Sequence, residues 1–201
     1  MDRVNTIDFD AQWDAGNRPC GQLILELRRR METLQPGQVL RLVACDTGAI
    51  EDLPAWCRLT GHQLRRAEHP TYFIQRKEDP IMARKFCVSL TRAKDDADKA
   101  TVAFVIANAA LGSEQETMVF LSTEGVRLAV KGYADDVHEP GFAPLKELMD
   151  NFVAAGGTIY VCSPCFKRRG LDEAKLVDGA KIVGGAKLVE YLSGGVPCVS
   201  Y

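Results

Sequence analysis

Two cysteines in the tetrapeptide Cys162-Ser163-Pro164-Cys165 are the residues of this sequence best suited to chemistry. A short apolar run that predicts a strand, residues 158–161, precedes them, and Phe166-Lys167-Arg168-Arg169-Gly170 follows. A thiol between a strand and a helix start meets unpaired backbone N–H groups, and the helix dipole favours its thiolate. Together with the three cations that follow, this predicts a pKa lowered from ~8.5 to roughly 3.5–7.5, and so a reactive cysteine.

The spacing of this pair is compatible with three kinds of chemistry. Cys162 can carry a persulfide, Cys162 and Cys165 can act as a dithiol redox pair, or both can supply half of a zinc site. Zinc usually takes four ligands, and the sequence has no second C-x-x-C and no H-x-x-x-H, so zinc is the weakest of the three. A pair of buried structural cysteines is the remaining interpretation.

Cys20 is the other candidate for a reactive thiol. It stands in Arg18-Pro19-Cys20-Gly21-Gln22, at the start of a predicted helix, with Arg18 nearby. Gly21 leaves the backbone loose and the thiol approachable. The same position also suits a small buried apolar residue, which is how free cysteine often behaves.

Other candidate residues have weaker signals. Cys57 falls on the inward face of a predicted helix, Cys87 falls in a predicted linker where exposure is possible, and Cys198 lies on a predicted terminal strand. His138 beside Glu139 is a possible proton-donor pair, although a histidine at a strand end is more often a structural hydrogen-bonding residue.

Composition is that of an ordinary globular protein and narrows the classes of function. The chain has 201 residues with 25 basic and 27 acidic side chains, and neither half is basic, so a nucleic-acid role has no support. No apolar run approaches the ~20 residues of a membrane span, and the first residues lack the apolar core of a signal peptide. Seven cysteines, an odd number, then indicate free thiols in a reducing cytoplasm.

The first segment, residues 1–78, has the pattern of a compact α/β unit. Leu23, Leu27, Met31 and Leu34 recur at helical spacing, which predicts an amphipathic helix that Pro36-Gly37 ends. The predicted order is β-α-β-α-β-β, with further elements at residues 6–9, 39–44, 49–60, 62–68 and 72–76. Residues 79–98 are predicted to be a polar linker, because the run 94–99 is almost entirely charged.

The second segment, residues 99–201, alternates strands and helices, which predicts a doubly wound parallel sheet. A capping-box pattern at Ser113 and Glu116 predicts a helix start. Ligands of such sheets bind beyond the carboxyl ends of the strands, where Asn108, His138 and Cys162 are predicted to share a crevice. The predicted strands are 101–107, 135–138, 159–162, 181–183 and 196–199, and the predicted helices are 113–131, 142–155 and 186–192.

The first segment resembles the TusA/SirA sulfur-carrier family. The resemblance implies a two-layer α/β sandwich and a persulfide carried on Cys20. The family usually has Cys-Pro-x-Pro where this chain has Cys20-Gly21-Gln22-Leu23, a departure that loosens the helix start without removing the thiol. The matching stretches are Asp14-Ala15, residues 34–40, Asp46, Asp52-Leu53-Pro54-Ala55-Trp56-Cys57 and Gly61-His62.

The second segment resembles the DsrE/DsrF-like family in Leu111-Gly112-Ser113-Glu114, residues 125–133 and residues 159–170. The resemblance implies that Cys162 is the sulfur-accepting cysteine, and that the chain forms a homo-oligomer, a trimer or hexamer, through this segment. Both resemblances concern proteins that handle protein-bound sulfur, and together they cover most of the chain outside the predicted linker.

The sequence therefore predicts a two-domain cytoplasmic sulfur-relay protein, a sulfurtransferase in which a persulfide passes between Cys20 and Cys162 or to and from donor and acceptor proteins. Anionic sulfur would be stabilised by Arg18, Lys167, Arg168 and Arg169, and no metal, nucleotide or flavin is required. A dithiol oxidoreductase that uses Cys162 and Cys165 is one alternative. A scaffold or regulatory module that keeps these folds but only binds partners is another.

Overall fold

The computed structural model describes residues 7–78 and 84–201, which belong to two compact units divided after residue 82. The first unit has a four-stranded sheet in the order β1-β2-β4-β3, with β1 parallel to β2 and the other neighbours antiparallel. Its elements are β1 (Ala11–Gly16), α1 (Cys20–Thr33), β2 (Val39–Ala44), α2 (Ala49–Thr60), β3 (Gln63–Glu68) and β4 (Thr71–Gln75).

One face of this sheet is buried against both helices. Leu40 and Leu42, at alternate positions of β2, are at most 2% exposed and share a core with Leu27 of α1 and Leu53 of α2. Helix α2 ends at Gly61, which has φ +80° and whose N–H donates to the Cys57 carbonyl at 2.9 Å. The predicted two-layer sandwich is confirmed, and so is its order of elements.

The first strand lies further along the chain than predicted. It occupies Ala11–Gly16, where Trp13 and Ala15 alternate inward, rather than residues 6–9. Residue 6 lies outside the described residues, and residues 7–9 are not in a strand. Ile7 and Phe9 have the same alternating spacing as the buried residues of β1, a strand that begins two residues after Phe9. Phe9 is 45% exposed.

The second unit has a five-stranded sheet in the order β8-β7-β6-β5-β9, in which all neighbours are parallel. On one face α3 and α4 pack together, with the Phe104 and Phe152 rings edge to face at 5.9 Å. On the other face Tyr191 and Leu192 of α6 pack on Met118. Helices on both faces confirm the doubly wound fold. The elements are β5 (Lys85–Leu90), α3 (Ala97–Gly112), β6 (Glu116–Leu121), α4 (Leu145–Ala154), β7 (Thr158–Cys162), α5 (Ser163–Arg168), β8 (Ala180–Val183), α6 (Gly185–Leu192) and β9 (Cys198–Ser200).

The described part of the predicted linker, residues 84–98, is not a linker. Lys85–Leu90 is strand β5, which lies between β6 and β9 in the sheet. The charged run after it forms a 3₁₀ turn, Lys94–Asp96, and then α3, whose Lys99 N–H is capped by the Asp96 carboxylate at 3.2 Å. Residues 79–83 lie outside the described residues.

Three further elements were predicted with the wrong type. Residues 101–107, predicted as a strand from their small and β-branched side chains, belong to α3, in which Ala100, Ala103, Phe104 and Ala107 are buried at helical spacing. Ser113 ends α3 instead of opening a helix, and Glu116 begins strand β6, a continuous apolar run typical of a central parallel strand. Residues 135–138 form turns and loop, not a strand.

Candidate functional site

Cys162 is the last residue of β7 and directly precedes α5. Its backbone is extended, with φ −62° and ψ 110°, and Pro164 fits the first turn of the short helix that follows. Alternation along β7 buries Ile159 and Val161 on one face and turns Cys162 to the other, where it packs against the apolar cluster beneath α6. The thiol is half-buried and free.

The electrostatic surroundings of Cys162 raise its pKa above the usual value, so the predicted lowering is wrong. Burial is the largest cause, and the Cys165 thiol adds to it. The Cys165 backbone N–H and the Arg169 guanidinium act in the opposite direction but do not outweigh burial. A helix of six residues also has a small dipole to offer.

Arg169 holds α5 in place instead of facing the sulfur freely. Its Nε and Nη2 donate to Glu124 Oε1 at 2.9 and 2.7 Å, and its Nη1 donates to the Cys165 carbonyl at 3.2 Å. Glu124 Oε2 also accepts from Arg127 Nε at 2.7 Å, and these two arginines lower the pKa of Glu124. Arg169 thus ties the cysteine loop to the 3₁₀ helix Thr123–Ala129.

Lys167 and Arg168 are exposed, and within the described ranges neither takes part in an ion pair. Unlike Arg169, these two cations near the cysteine pair have no carboxylate partner in the described part of the chain. Of the four predicted anion-stabilising side chains, these two stay candidates for contact with an anionic partner.

The crevice predicted to join Asn108, His138 and Cys162 does not form as expected. Asn108 lies in α3, not at a strand end, and is 2% exposed; its Nδ2 donates to the Phe104 and Leu148 carbonyls, both at 2.9 Å, which joins α3 to α4. His138 is exposed in a loop, with Nε2 3.0 Å from the Phe142 carbonyl oxygen.

Cys20 is the first residue of α1, preceded by Pro19 at the N-cap, and lies at the carboxyl end of the parallel strands β1 and β2. It is half-buried against the core of the first unit. Burial raises its pKa to about 12; a hydrogen bond to the Asp52 carboxylate and the charges of Asp52 and Asp46 act in the same direction.

The predicted cation beside Cys20 is therefore wrong. The Arg18 guanidinium lies over the Trp13 ring, 5.8 Å from its centre, and the groups that act on the thiol are acidic. Asp46 and Asp52 precede and open α2, and parallel pairing of β1 with β2 brings the two helix starts to one edge of the sheet. In the sequence these aspartates stood out only through the family resemblance.

We expect Asp52→Asn to increase alkylation of Cys20 at about pH 8 by about 3- to 10-fold. Removing a negative charge stabilises the thiolate, so the pKa falls and more thiolate is present at a given pH. Burial remains, so the rate should still rise about tenfold per pH unit. The measurement is peptide-resolved iodoacetamide kinetics.

Glu51→Gln is the matched control, because Glu51 is exposed, carries the same charge and is the neighbour of Asp52 in α2. An equal rate change in both variants, or none in Asp52→Asn, would show that the contact between Asp52 and Cys20 has no effect on the thiol.

A cavity of about 480 Å³ in the second unit is separate from these cysteines. Its lining includes Leu128, Met149, Val153 and Ile159. Ile159 and Cys162 are three residues apart on β7 and so point to opposite faces of the sheet. Among the described residues, no group of three or more His, Cys, Asp or Glu side chains is placed to hold a metal ion.

Comparison with known proteins assigns both units. Residues 84–196 match the DsrE/DsrF-like family, and residues 11–75 match sulfurtransferase TusA. The first match spans more than half of the chain, which therefore belongs to the DsrE/DsrF-like family and carries a TusA-like unit fused before it. Both resemblances seen in the sequence are confirmed, and the two families place the chain among sulfur-carrier and sulfur-relay proteins.

Individual similar proteins match different shares of this chain. The uncharacterized protein MJ0760 of Methanocaldococcus jannaschii is 27% identical over 94% of this chain and 73% of its own length. The sulfur carrier protein TusA of Allochromatium vinosum is 33% identical over 30% of this chain and 80% of its own length. The ychN protein from E. coli aligns structurally with 58% of this chain and 99% of its own, with 15% identity and a TM-score of 0.45.

In the described part of the chain, none of the helices combines the length and the apolar character needed to span a bilayer.

Proposed function

We propose that this protein is a sulfur-relay sulfurtransferase that carries sulfur as a persulfide on Cys20 and Cys162 and passes it between them. The observation that carries the proposal is a shared setting. Each thiol is half-buried, lies at the carboxyl end of parallel strands and adjoins the start of a helix, in a chain whose two units match two sulfur-handling families.

The transfer step moves one sulfur atom and leaves the oxidation level of the pair unchanged. The acceptor thiolate attacks the outer sulfur of the donor persulfide, a new S–S bond forms, the old one breaks, and the donor cysteine leaves as a thiolate. One proton moves from the acceptor thiol to the departing sulfur or its surroundings. No external oxidant or reductant is consumed.

The raised pKa values of Cys20 and Cys162 make deprotonation of the acceptor thiol the part of this step that needs assistance. At neutral pH Cys20 and Cys162 are largely protonated, so the acceptor must lose a proton as it attacks. Near Cys20 the carboxylates of Asp52 and Asp46 oppose the loss of this proton. Near Cys162 the exposed cations Lys167 and Arg168 suit an anionic persulfide or an acidic surface on a donor protein.

Sulfur loading of the full chain tests the proposal. After incubation with a cysteine desulfurase and cysteine, peptide mapping should find the added mass of one sulfur atom on Cys20 and Cys162. Cys45 is the control, because it is exposed yet adjoins no helix start. Equal loading of all three would indicate unselective sulfur chemistry and contradict the proposal.

A dithiol oxidoreductase is the second candidate, because the Cys165 thiol lies close enough to Cys162 to help raise its pKa. Cys165→Ser separates the two functions, since closing a disulfide needs both thiols and accepting a persulfide needs one. We expect this variant to keep loading at Cys162 within about 3-fold of wild type. Loss of loading in a folded Cys165→Ser chain would favour the oxidoreductase.

Donor and acceptor proteins, and a homo-oligomer formed through the second unit, belong to the same proposal. Helix α6 has no buried residue, and Val189 on it is 67% exposed, which supports a protein contact at this surface. The mass of the full chain in sedimentation equilibrium decides whether the oligomer forms.

A further inference from the structure

Cys87 and Cys198 lie directly opposite each other on the parallel strands β5 and β9. The Cys87 N–H donates to the Pro197 carbonyl at 3.0 Å, which fixes this register, and after burial the Cys198 thiol is the next cause that raises the pKa of Cys87. Neighbouring strands are ~4.7–4.9 Å apart, within the Cα separation of about 4.4–6.8 Å that a disulfide tolerates. The sequence predicted Cys87 in a linker, where exposure is possible; the structure instead makes it half of a cross-strand pair.

The two thiols of this pair differ sharply in access. Cys87 is 0% exposed beneath α6, whereas Cys198 is exposed on β9, the three-residue strand at the sheet edge. A reagent in solution therefore meets Cys198 before Cys87. An accessible thiol beside a sheltered partner is the arrangement of a redox-sensitive cysteine with its resolving cysteine.

We propose that Cys198 and Cys87 are a hydroperoxide-sensitive thiol pair, separate from the sulfur-relay cysteines. The Cys198 thiolate attacks a hydroperoxide oxygen; an S–O bond forms, the O–O bond breaks, and water or an alcohol leaves. The Cys87 thiol then attacks the Cys198 sulfenic acid; the S–S bond forms, the S–O bond breaks, and water leaves. The two thiols together give two electrons to the hydroperoxide.

The product fixes the edge of the sheet covalently. Among the described strands β9 pairs only with β5, through three residues, so a bond from Cys198 to Cys87 holds β9 to the sheet interior. The disulfide should raise the unfolding temperature of the second unit in its oxidised form. Neither thiol is needed for persulfide transfer, so this inference does not rest on the proposed function.

The test oxidises the reduced full chain with limiting hydrogen peroxide, blocks remaining thiols with N-ethylmaleimide and maps peptides without reduction. We expect a linked Cys87–Cys198 peptide pair, formed within one chain. In Cys198→Ser, oxidation of Cys87 should slow by at least ~10-fold, because the buried thiol loses the exposed partner that reacts with peroxide first. In Cys87→Ala, dimedone should trap the Cys198 sulfenic acid that can no longer be resolved.

Cys45, exposed in the first unit, is the reference thiol, and Cys45→Ser should leave the linked pair unchanged. The proposal is overturned if Cys198 oxidises no faster than Cys45, if it links to another chain, or if Cys87 oxidises equally well without it. Cys198→Ser carries the test should Cys87→Ala fail to fold, since Cys198 is exposed. Sulfur loading at Cys162 should be unchanged in Cys198→Ser, so a failed relay and a failed peroxide pair are distinguishable.

Discussion

Exchanging Cys162 for serine in the acceptor chain is expected to reduce the transfer of sulfur from one chain of this protein to another on the order of 100-fold or more. The donor is full-length Cys162→Ser, loaded with labelled sulfur on Cys20. The acceptor is full-length Cys20→Ser, distinguished by mass, with Cys162 free. Label should move to Cys162 of the acceptor, because attack on the outer sulfur needs a thiolate at that position and a serine hydroxyl cannot replace it.

The matched control acceptor carries Cys20→Ser together with Cys45→Ser. The test acceptor carries Cys20→Ser together with Cys162→Ser, and the control lacks the same number of cysteines. The control should nevertheless accept label as Cys20→Ser alone does. If no acceptor takes label from Cys20 while a polysulfide loads Cys162 readily, the two sites do not form a relay, and the scaffold interpretation gains support. Transfer should rise with pH, because a raised thiol pKa leaves the thiolate fraction still increasing above neutrality.

The parts of the fold that the sequence predicted are those with a clear surface and a clear interior. Helix α1 has Leu23, Leu27 and Met31 on one side and charges on the other, and α2 ends at a glycine. The spacing of apolar residues and the residue that ends the helix therefore both indicate the observed elements. The same holds for β7, where a short apolar run leads directly into Cys162.

The elements that were predicted incorrectly have no clear division into an apolar side and a polar side in the sequence. Helix α3 has alanines and β-branched residues around its whole circumference, so no helical period is visible, and its charged start resembled a linker. Strand β5 mixes Lys85, Cys87 and Ser89 with apolar residues, so its place inside the sheet comes from its neighbours β6 and β9 rather than from its own composition.

The places of Cys162 and Cys20 in the fold were predicted correctly but their electrostatic surroundings were not, for a related reason. Placing Cys162 at a strand end and Cys20 at a helix start needs only local pattern. The sign of each pKa shift is set first by burial, and for Cys20 also by Asp52 on the next helix. Neither burial nor the contact with Asp52 leaves a signal in the sequence around the cysteines.

Gly125→Ala is expected to destabilise the second unit by about 1–3 kcal/mol. A Cβ at this position would lie 2.5 Å from the Leu90 carbonyl oxygen and 3.3 Å from that of Arg92, and backbone atoms at the end of β5 cannot turn aside as a flexible side chain can. The displaced segment would carry Glu124 with it, and with Glu124 the anchor of Arg169 on the Cys165 carbonyl. Sulfur loading at Cys162 should therefore fall as well.

The positions of the tryptophans allow the loss of stability to be assigned to one of the two units. Both of its tryptophans, Trp13 and Trp56, lie in the first unit, so the thermal transition followed by tryptophan fluorescence should not move, while the transition followed by far-UV circular dichroism should shift to lower temperature. Gly184→Ala is the matched control, since a Cβ there meets no heavy atom within 4 Å and the backbone φ is −84°. It should change stability by less than about 0.5 kcal/mol. Equal effects of the two substitutions would mean that the close approach of Gly125 to β5 does not hold Glu124 and the cysteine loop in place.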